Sequence, residues 1–192
     1  MIRLLFFAGS TREGSVNRKL ASLAHHIAAA NGIEAVLAEL KDYPMPLYNG
    51  DLEAEDGPPE RARAFTALLC EYQGVFIASP EYNSSIPPLL KNTLDWVSRV
   101  RDKGESGLEM FRSRVFAISG ASPGYYGAMR SLLQLRQILE IGLGATVIPQ
   151  QIAIPRAMDA FEADGSLKDK AHQNHCKHVV EALAVAARKF ES

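Results

Sequence analysis

Cysteine is scarce: the 192 residues hold two, Cys70 and Cys176, far apart and in no CxxC pair. By themselves they build neither a disulfide framework nor a zinc site. Neither sign of charge is in excess. Lys plus Arg is 21 and Asp plus Glu is 22, a formal net charge of −1. No bulk basic field therefore draws the chain to nucleic acid or to an anionic membrane. Long apolar runs are missing as well. The first run, Ile2 to Ala8, has seven positions and includes Arg3. It is too short for a membrane span, and no small-residue cleavage site follows a basic segment. The expectation is a soluble, cytoplasmic protein with neither a membrane nor a nucleic-acid partner. No linker, internal repeat or low-complexity tract divides the chain, so residues 1–192 read as a single domain.

Apolar residues make up 47% of the chain, enough to offset chain entropy in one domain of this length. Leu4 to Ala8 is a short, nearly continuous apolar run, as in a strand covered on both faces. From Asn17 to about Ala30 the period changes: Leu20, Leu23, Ala24 and Ile27 recur at helical spacing, and Asn31-Gly32 supplies a stop. Ala35 to Leu40 reads as a second strand. Asp42 to Pro59, with four prolines, reads as a long surface loop. A helix follows from about Pro59 to Tyr72, then a third strand, Val75 to Ala78. Ser84 or Ser85 can cap the next helix, which has Pro87-Pro88 in its first turn. A polar segment, Arg101 to Glu109, leads to strand Val115 to Ser119. Then come a glycine-rich turn, a helix with Leu132, Leu135, Leu139 and Leu143, and a strand from Ala145 to Ile148 extending to Ile152–Ile154. A last helix runs from about Lys168 to Lys189. Five β-α units imply an α/β fold: a three-layer, doubly wound parallel sheet.

The first strand runs into Gly9-Ser10-Thr11-Arg12-Glu13-Gly14-Ser15-Val16-Asn17. Three hydroxyls, a guanidinium, two glycines and a helix start within nine residues suit a phosphate monoester. The glycines fall at neither Walker A nor GxGxxG spacing. A plainer reading is a capped turn, with Ser15 or Asn17 as the cap and Arg12 merely exposed. The third strand runs into Ser79-Pro80-Glu81-Tyr82-Asn83-Ser84-Ser85. In a five-stranded 2-1-3-4-5 sheet, ligands sit at the switch point between strands one and three. The two most polar loops follow those two strands. A planar heterocycle such as a flavin could take hydrogen bonds from the second turn, with Ser119 to Gly124 lining the far side.

GSTREGSVN resembles the GSxRxxSxN loop of the NADPH-dependent FMN reductase family, and Pro80-Glu81-Tyr82-Asn83 with Leu90-Lys91-Asn92 through Asp95-Trp96 resembles its PEYN…LKNxxDW segment. The resemblance spans nearly the whole chain and implies a flavodoxin-like fold that binds FMN. It implies that Ser10, Arg12, Ser15, Val16 and Asn17 hold the FMN phosphate. Pro80, Glu81, Tyr82 and Asn83 would line the ring, with Ser84 at its edge and Ser122 contacting it from the third loop. Family members often carry Gly-Gly where this chain has Gly127-Ala128. The implied activity is an NAD(P)H oxidoreductase. It uses NADPH or NADH as donor and a quinone, free flavin, chromate or azo compound as small acceptor, in ping-pong order. The rivals are an electron-carrier flavoprotein docking to redox proteins and a flavin-free binding protein on the same fold. No protein nucleophile is needed, because the cofactor carries the chemistry.

His172, His175 and His178, with Cys176 among them, step by three along one helix and diverge, which does not suit a metal. Trp96 reads as a core or subunit-contact residue. The surplus of Leu89, Leu90, Leu94, Trp96, Val97 and Val100 on one helix suggests a symmetric contact. The resemblance likewise implies a homodimer, often paired into a homotetramer.

Overall fold

The strands form one parallel sheet in the order β2-β1-β3-β4-β5. They are β1 (Arg3–Ala8), β2 (Glu34–Ala38), β3 (Gly74–Ala78), β4 (Val115–Ala121) and β5 (Thr146–Ile154). The computed structural model describes residues 2–101 and 107–190. The central part of the polar segment expected at Arg101–Glu109 therefore lies outside the described residues.

The centre of the sheet is buried on both faces because Leu4–Ala8 of β1 and all of β3 are apolar and β4 is apolar but for Ser119, and the two-residue period sorts their side chains. Leu4, Phe6 and Ala8 pack with Phe76 and Ala78 against α1 (Val16–Ala30) and α7 (Lys170–Ala187). Leu5, Phe7, Val75 and Ile77 face the opposite way. They meet Phe65 and Leu69 of α3 (Glu60–Cys70), Leu90 and Leu94 of α4 (Pro88–Val97) and Leu132 and Leu135 of α6 (Met129–Gln137). The expected doubly wound, flavodoxin-like architecture is what the chain adopts.

Three local expectations change. The Asp42–Pro59 stretch contains a helix, α2 (Gly50–Asp56), capped by the Asn49 side chain accepting from Asp51 N at 2.8 Å. Ser84 and Ser85 do not cap α4. They close a tight turn in which Tyr82 and Ser85 exchange backbone hydrogen bonds of 2.9 and 3.0 Å, and α4 starts after Pro87 with Pro88 in its first turn. β5 extends to Ile154 as expected, and Pro149 does not interrupt it. The proline sits at the sheet edge, where β4 advances from Phe116 to Ile118 while β5 advances from Val147 to Gln151, an irregularity that tolerates a missing N–H. Finally, α4 spends its apolar surplus within its own chain. Trp96 is fully buried, its Nε1 donates to Pro46 O at 2.7 Å, and its ring meets Tyr48 edge-on. A short helix, α5 (Glu109–Arg112), precedes β4.

Candidate functional site

Parallel pairing puts Ala8, Ala78 and Ser119 in register, so the loops after β1, β3 and β4 leave the sheet side by side. Backbone bonds hold them together: Gly9 N donates to Ala78 O at 2.9 Å and Ser79 N to Ser119 O at 2.7 Å. Gly120 allows the closest approach, since a Cβ there would lie 2.9 Å from Ser79 O and 2.8 Å from Ala128 Cβ.

In the first loop Ser15 is the cap of α1, its hydroxyl accepting from Arg18 N at 3.5 Å. The N–H groups of Val16 and Asn17 open the helix and have no intrahelical acceptor. Ser10 is buried, with Oγ 3.4 Å from Arg12 N. Arg18 is tied to Glu39 by bonds of 2.8 and 3.2 Å, which raise the guanidinium pKa above its ordinary value. The Arg12 guanidinium is exposed and has no partner among the described residues. The Asn17 side chain is already engaged. Its Nδ2 donates to Ala121 O at 2.8 Å and its Oδ1 accepts from Ala121 N at 2.9 Å. It clamps the β1 loop to the end of β4, leaving its main-chain N–H for a ligand.

In the second loop Asn83 and Ser84 both adopt left-handed backbone, φ 51° and 68°, so Tyr82–Ser85 is a type I′ turn. The N–H groups of Asn83 and Ser84 have no acceptor among the described residues. A serine in this conformation costs about 1–2 kcal/mol, strain of the kind that gathers at functional sites. Pro80 is buried and Tyr82 is 51% exposed. Glu81 turns inward instead of lining the surface, its side chain 6% exposed. Its carboxylate pairs with the Arg130 guanidinium and accepts from Arg130 N (3.1 Å) and Ser131 N (3.3 Å). That caps α6, whose cap residue Ala128 is itself left-handed at φ 73°. Ser131 Oγ adds a bond to Pro80 O at 3.0 Å.

In the third loop Ser122 is bound through its main chain, donating to Ile154 O and accepting from Ala157 N. Its hydroxyl has no hydrogen-bond partner among the described residues. Tyr126 is 61% exposed and lies under the Arg130 guanidinium, 5.2 Å from ring centroid to carbon.

The structure thus places Ser10, Arg12, Ser15, Val16 and Asn17 in the loop after β1, with Pro80, Tyr82, Asn83 and Ser84 in the loop after β3 and Ser122 in the loop after β4. It draws Glu81, and the amide of Asn17, into holding the loops in place. Sequence reading missed Arg130, Ser131 and Ala121, whose partners lie 49 to 104 residues away. The donor set fits FMN: helix-start N–H groups, hydroxyls and a free guanidinium for a phosphate dianion, and outward N–H groups on a turn for a ring with acceptor atoms.

An open polar edge at the β1/β3 switch point of a 2-1-3-4-5 sheet defines a flavodoxin-like, mononucleotide-binding protein. The model of the NADPH-dependent FMN reductase family matches residues 2–159, and the chain belongs to that family. It is an FMN-dependent NAD(P)H oxidoreductase. Among its relatives, an NAD(P)H-dependent FMN reductase of Pseudomonas aeruginosa is 34% identical over 98% of this chain and 97% of its own. A quinone reductase of Escherichia coli is 35% identical over 72% of this chain and 69% of its own. A flavoenzyme NAD(P)H:(acceptor) oxidoreductase of Paracoccus denitrificans superposes with a TM-score of 0.79 at 26% identity, covering 99% of both chains.

Proposed function

We propose that the reductase passes reducing equivalents from NAD(P)H to a quinone, donor and acceptor using the same open face in turn. The observation that carries this is the edge of the site. Tyr82 in the second loop and Tyr126 in the third stand exposed, and both loops are short and turn-forming. In this reading Ser10, Arg12, Ser15 and the N–H groups of Val16 and Asn17 hold the FMN phosphate. Asn83 and Ser84 donate main-chain N–H groups to the ring, Pro80 and Tyr82 lie along it, and Ser122 meets it from the far loop. Glu81 works indirectly, by fixing α6 and the third loop against the second. FMN, when bound, supplies hydride-accepting and hydride-donating chemistry. The chain's part is to orient the ring, leave one face open and offer the second substrate an aromatic rim.

The name of the Escherichia coli relative favours quinones among the acceptors. Anaerobic addition of NADPH or NADH to the yellow holoprotein should bleach the flavin band directly. Steady-state rates against a quinone series should give parallel double-reciprocal lines. Intersecting lines would overturn the shared face. Failure of both nucleotides to bleach the flavin at millimolar concentration would turn the reading to an electron carrier. Assembly as a homodimer or homotetramer belongs to the same proposal. With α4 buried, Met129, Leu133 and Ile141 are exposed apolar side chains available for contact. Light scattering that returns a monomer at micromolar concentration overturns it.

A further inference from the structure

A second cleft adjoins the third loop on its β5 side, enclosing about 620 Å³. Tyr125, Arg156 and Lys168 line it, together with Asp159, Asp169 and His172. The main chain joins it to the flavin-facing loop: Arg156 N donates to Gly124 O at 3.2 Å and Ala157 N to Ser122 O at 3.0 Å. Arg156 has left-handed backbone, φ 49° and ψ 39°, rare for a residue with a Cβ. Its guanidinium and the Lys168 ammonium have no hydrogen-bond or ion-pair partner among the described residues. Tyr125 is 76% exposed, and its only aromatic contact among the described residues is a T-shaped one with Tyr126. One of the two carboxylates is committed elsewhere. Asp169 caps α7, accepting from Ala171 N at 2.7 Å and His172 N at 3.3 Å, and these bonds hold its carboxyl below the usual range. None of these six residues is among those assigned above to the flavin.

We propose that this cleft receives the adenosine end of NADPH, with Arg156 and Lys168 on its 2′-phosphate and Tyr125 against the adenine. It would thereby select NADPH over NADH. The proposal rests on the oxidoreductase reading above. A dinucleotide whose nicotinamide occupies the open face must carry its adenosine beyond that face, and this cleft begins at the loop that borders it. A guanidinium fork and an ammonium match a phosphate dianion, whereas the 2′-hydroxyl of NADH brings them no charge. An arginine beside the adenosine ribose is a general way of accommodating a 2′-phosphate. Asp159 opposes the phosphate, so its neutralisation should strengthen the preference.

Calorimetry on the FMN-loaded protein should show adenosine 2′,5′-bisphosphate binding about 100-fold more tightly than adenosine 5′-monophosphate, as expected for two charge-assisted contacts. Arg156→Gln, which keeps the Cβ and hence the same backbone strain, should cut that difference about ten-fold, leaving the Lys168 contact, while FMN stays bound. In kinetics the same variant should lower kcat/KM for NADPH about ten-fold, through KM, and leave NADH unchanged. Asp159→Asn should raise kcat/KM for NADPH several-fold. Equal binding of the two adenosine phosphates by the wild-type protein would overturn the proposal, as would an Arg156→Gln loss shared equally by both nucleotides. The binding comparison needs no turnover. If neither nucleotide bleaches the flavin, the oxidoreductase reading falls by itself and the titration still decides the cleft.

Discussion

The two ends of the sheet are built on opposite terms. Before the strands begin, polar groups find partners inside the chain. The nearly buried Arg114 guanidinium donates to Leu69 O (2.8 Å), Cys70 O (2.9 Å), Met110 O (2.6 Å) and Ser113 Oγ (2.7 Å). Burial lowers its pKa from the ordinary value. The carbonyls at the C-terminus of α3 supply the negative end that a buried cation needs. Arg3 similarly joins Glu34 at 2.7 Å and Glu71 at 3.3 Å. At the other end, where the strands finish, N–H groups of Val16, Asn17, Asn83 and Ser84 are left for something outside the chain, and the backbone is left-handed at Asn83, Ser84, Ala128 and Arg156. Satisfied donors stabilise a fold, whereas unsatisfied donors held in a fixed arrangement bind a ligand. One molecule keeps the two uses 5–7 residues of strand apart.

The comparison breaks most visibly at Arg114. Arg114→Ala removes several hydrogen bonds around a buried site and should cost about 3 kcal/mol. At this chain length that lowers Tm by roughly 6–12 °C. FMN affinity measured well below the transition should not change. Thermal melts beside flavin-fluorescence titrations check both halves. Arg12→Ala is the mirror case. The apo-protein should melt where the wild type does, while the FMN dissociation constant rises about 10- to 150-fold for a lost charge-assisted bond of about 1.5–3 kcal/mol. Unchanged affinity would remove Arg12 from the phosphate site.

Glu81 blurs the division, because it stabilises at the binding end. Glu81→Ala should cost about 1–2 kcal/mol, in the range of a lost helix cap. The Arg130 side chain is 53% exposed, so solvent screens the ion pair. A double-mutant cycle with Arg130→Ala should give a coupling below about 1 kcal/mol. Denaturant melts of the four proteins decide how much of Glu81's effect is capping. The smallest effect at neutral pH concerns the two cysteines. Burial pushes the Cys176 thiol up to about 12, whereas Cys70 is exposed. Thiol titration of the native protein near neutral pH should find one rapidly reacting group. With the folded pKa above the unfolded value near 9.0, the contribution from Cys176 is fully present below pH 9. It is lost as pH rises from about 9 towards 12. Alkaline melts should show that fall, and it should be absent in Cys176→Ala.

What could be read from residue order alone was whatever repeats locally. The apolar run Leu4–Ala8 announces a strand buried on both faces, because no neighbour is needed to see that every position is apolar. The three-and-four spacing of Leu20, Leu23 and Ala24 announces α1, and Gly32, at φ 72°, ends it as its lack of a Cβ allows. The polar composition of the loop after β1 was legible for the same reason: its hydroxyls, guanidinium and helix start lie within nine residues. The helix inside Asp42–Pro59 was not, because Asn49 caps it locally while prolines on both sides suggest a loop. Nor was the inward turn of Glu81, whose partner Arg130 is 49 residues on, or the clamp of Asn17 on Ala121 across 104 residues. In isolation, Asn17 and Glu81 carry the same hydrogen-bonding groups whether they meet a ligand or the chain itself. Which of the two they meet depends on the atoms that folding brings to them, and the spacing of neighbouring residues does not encode that.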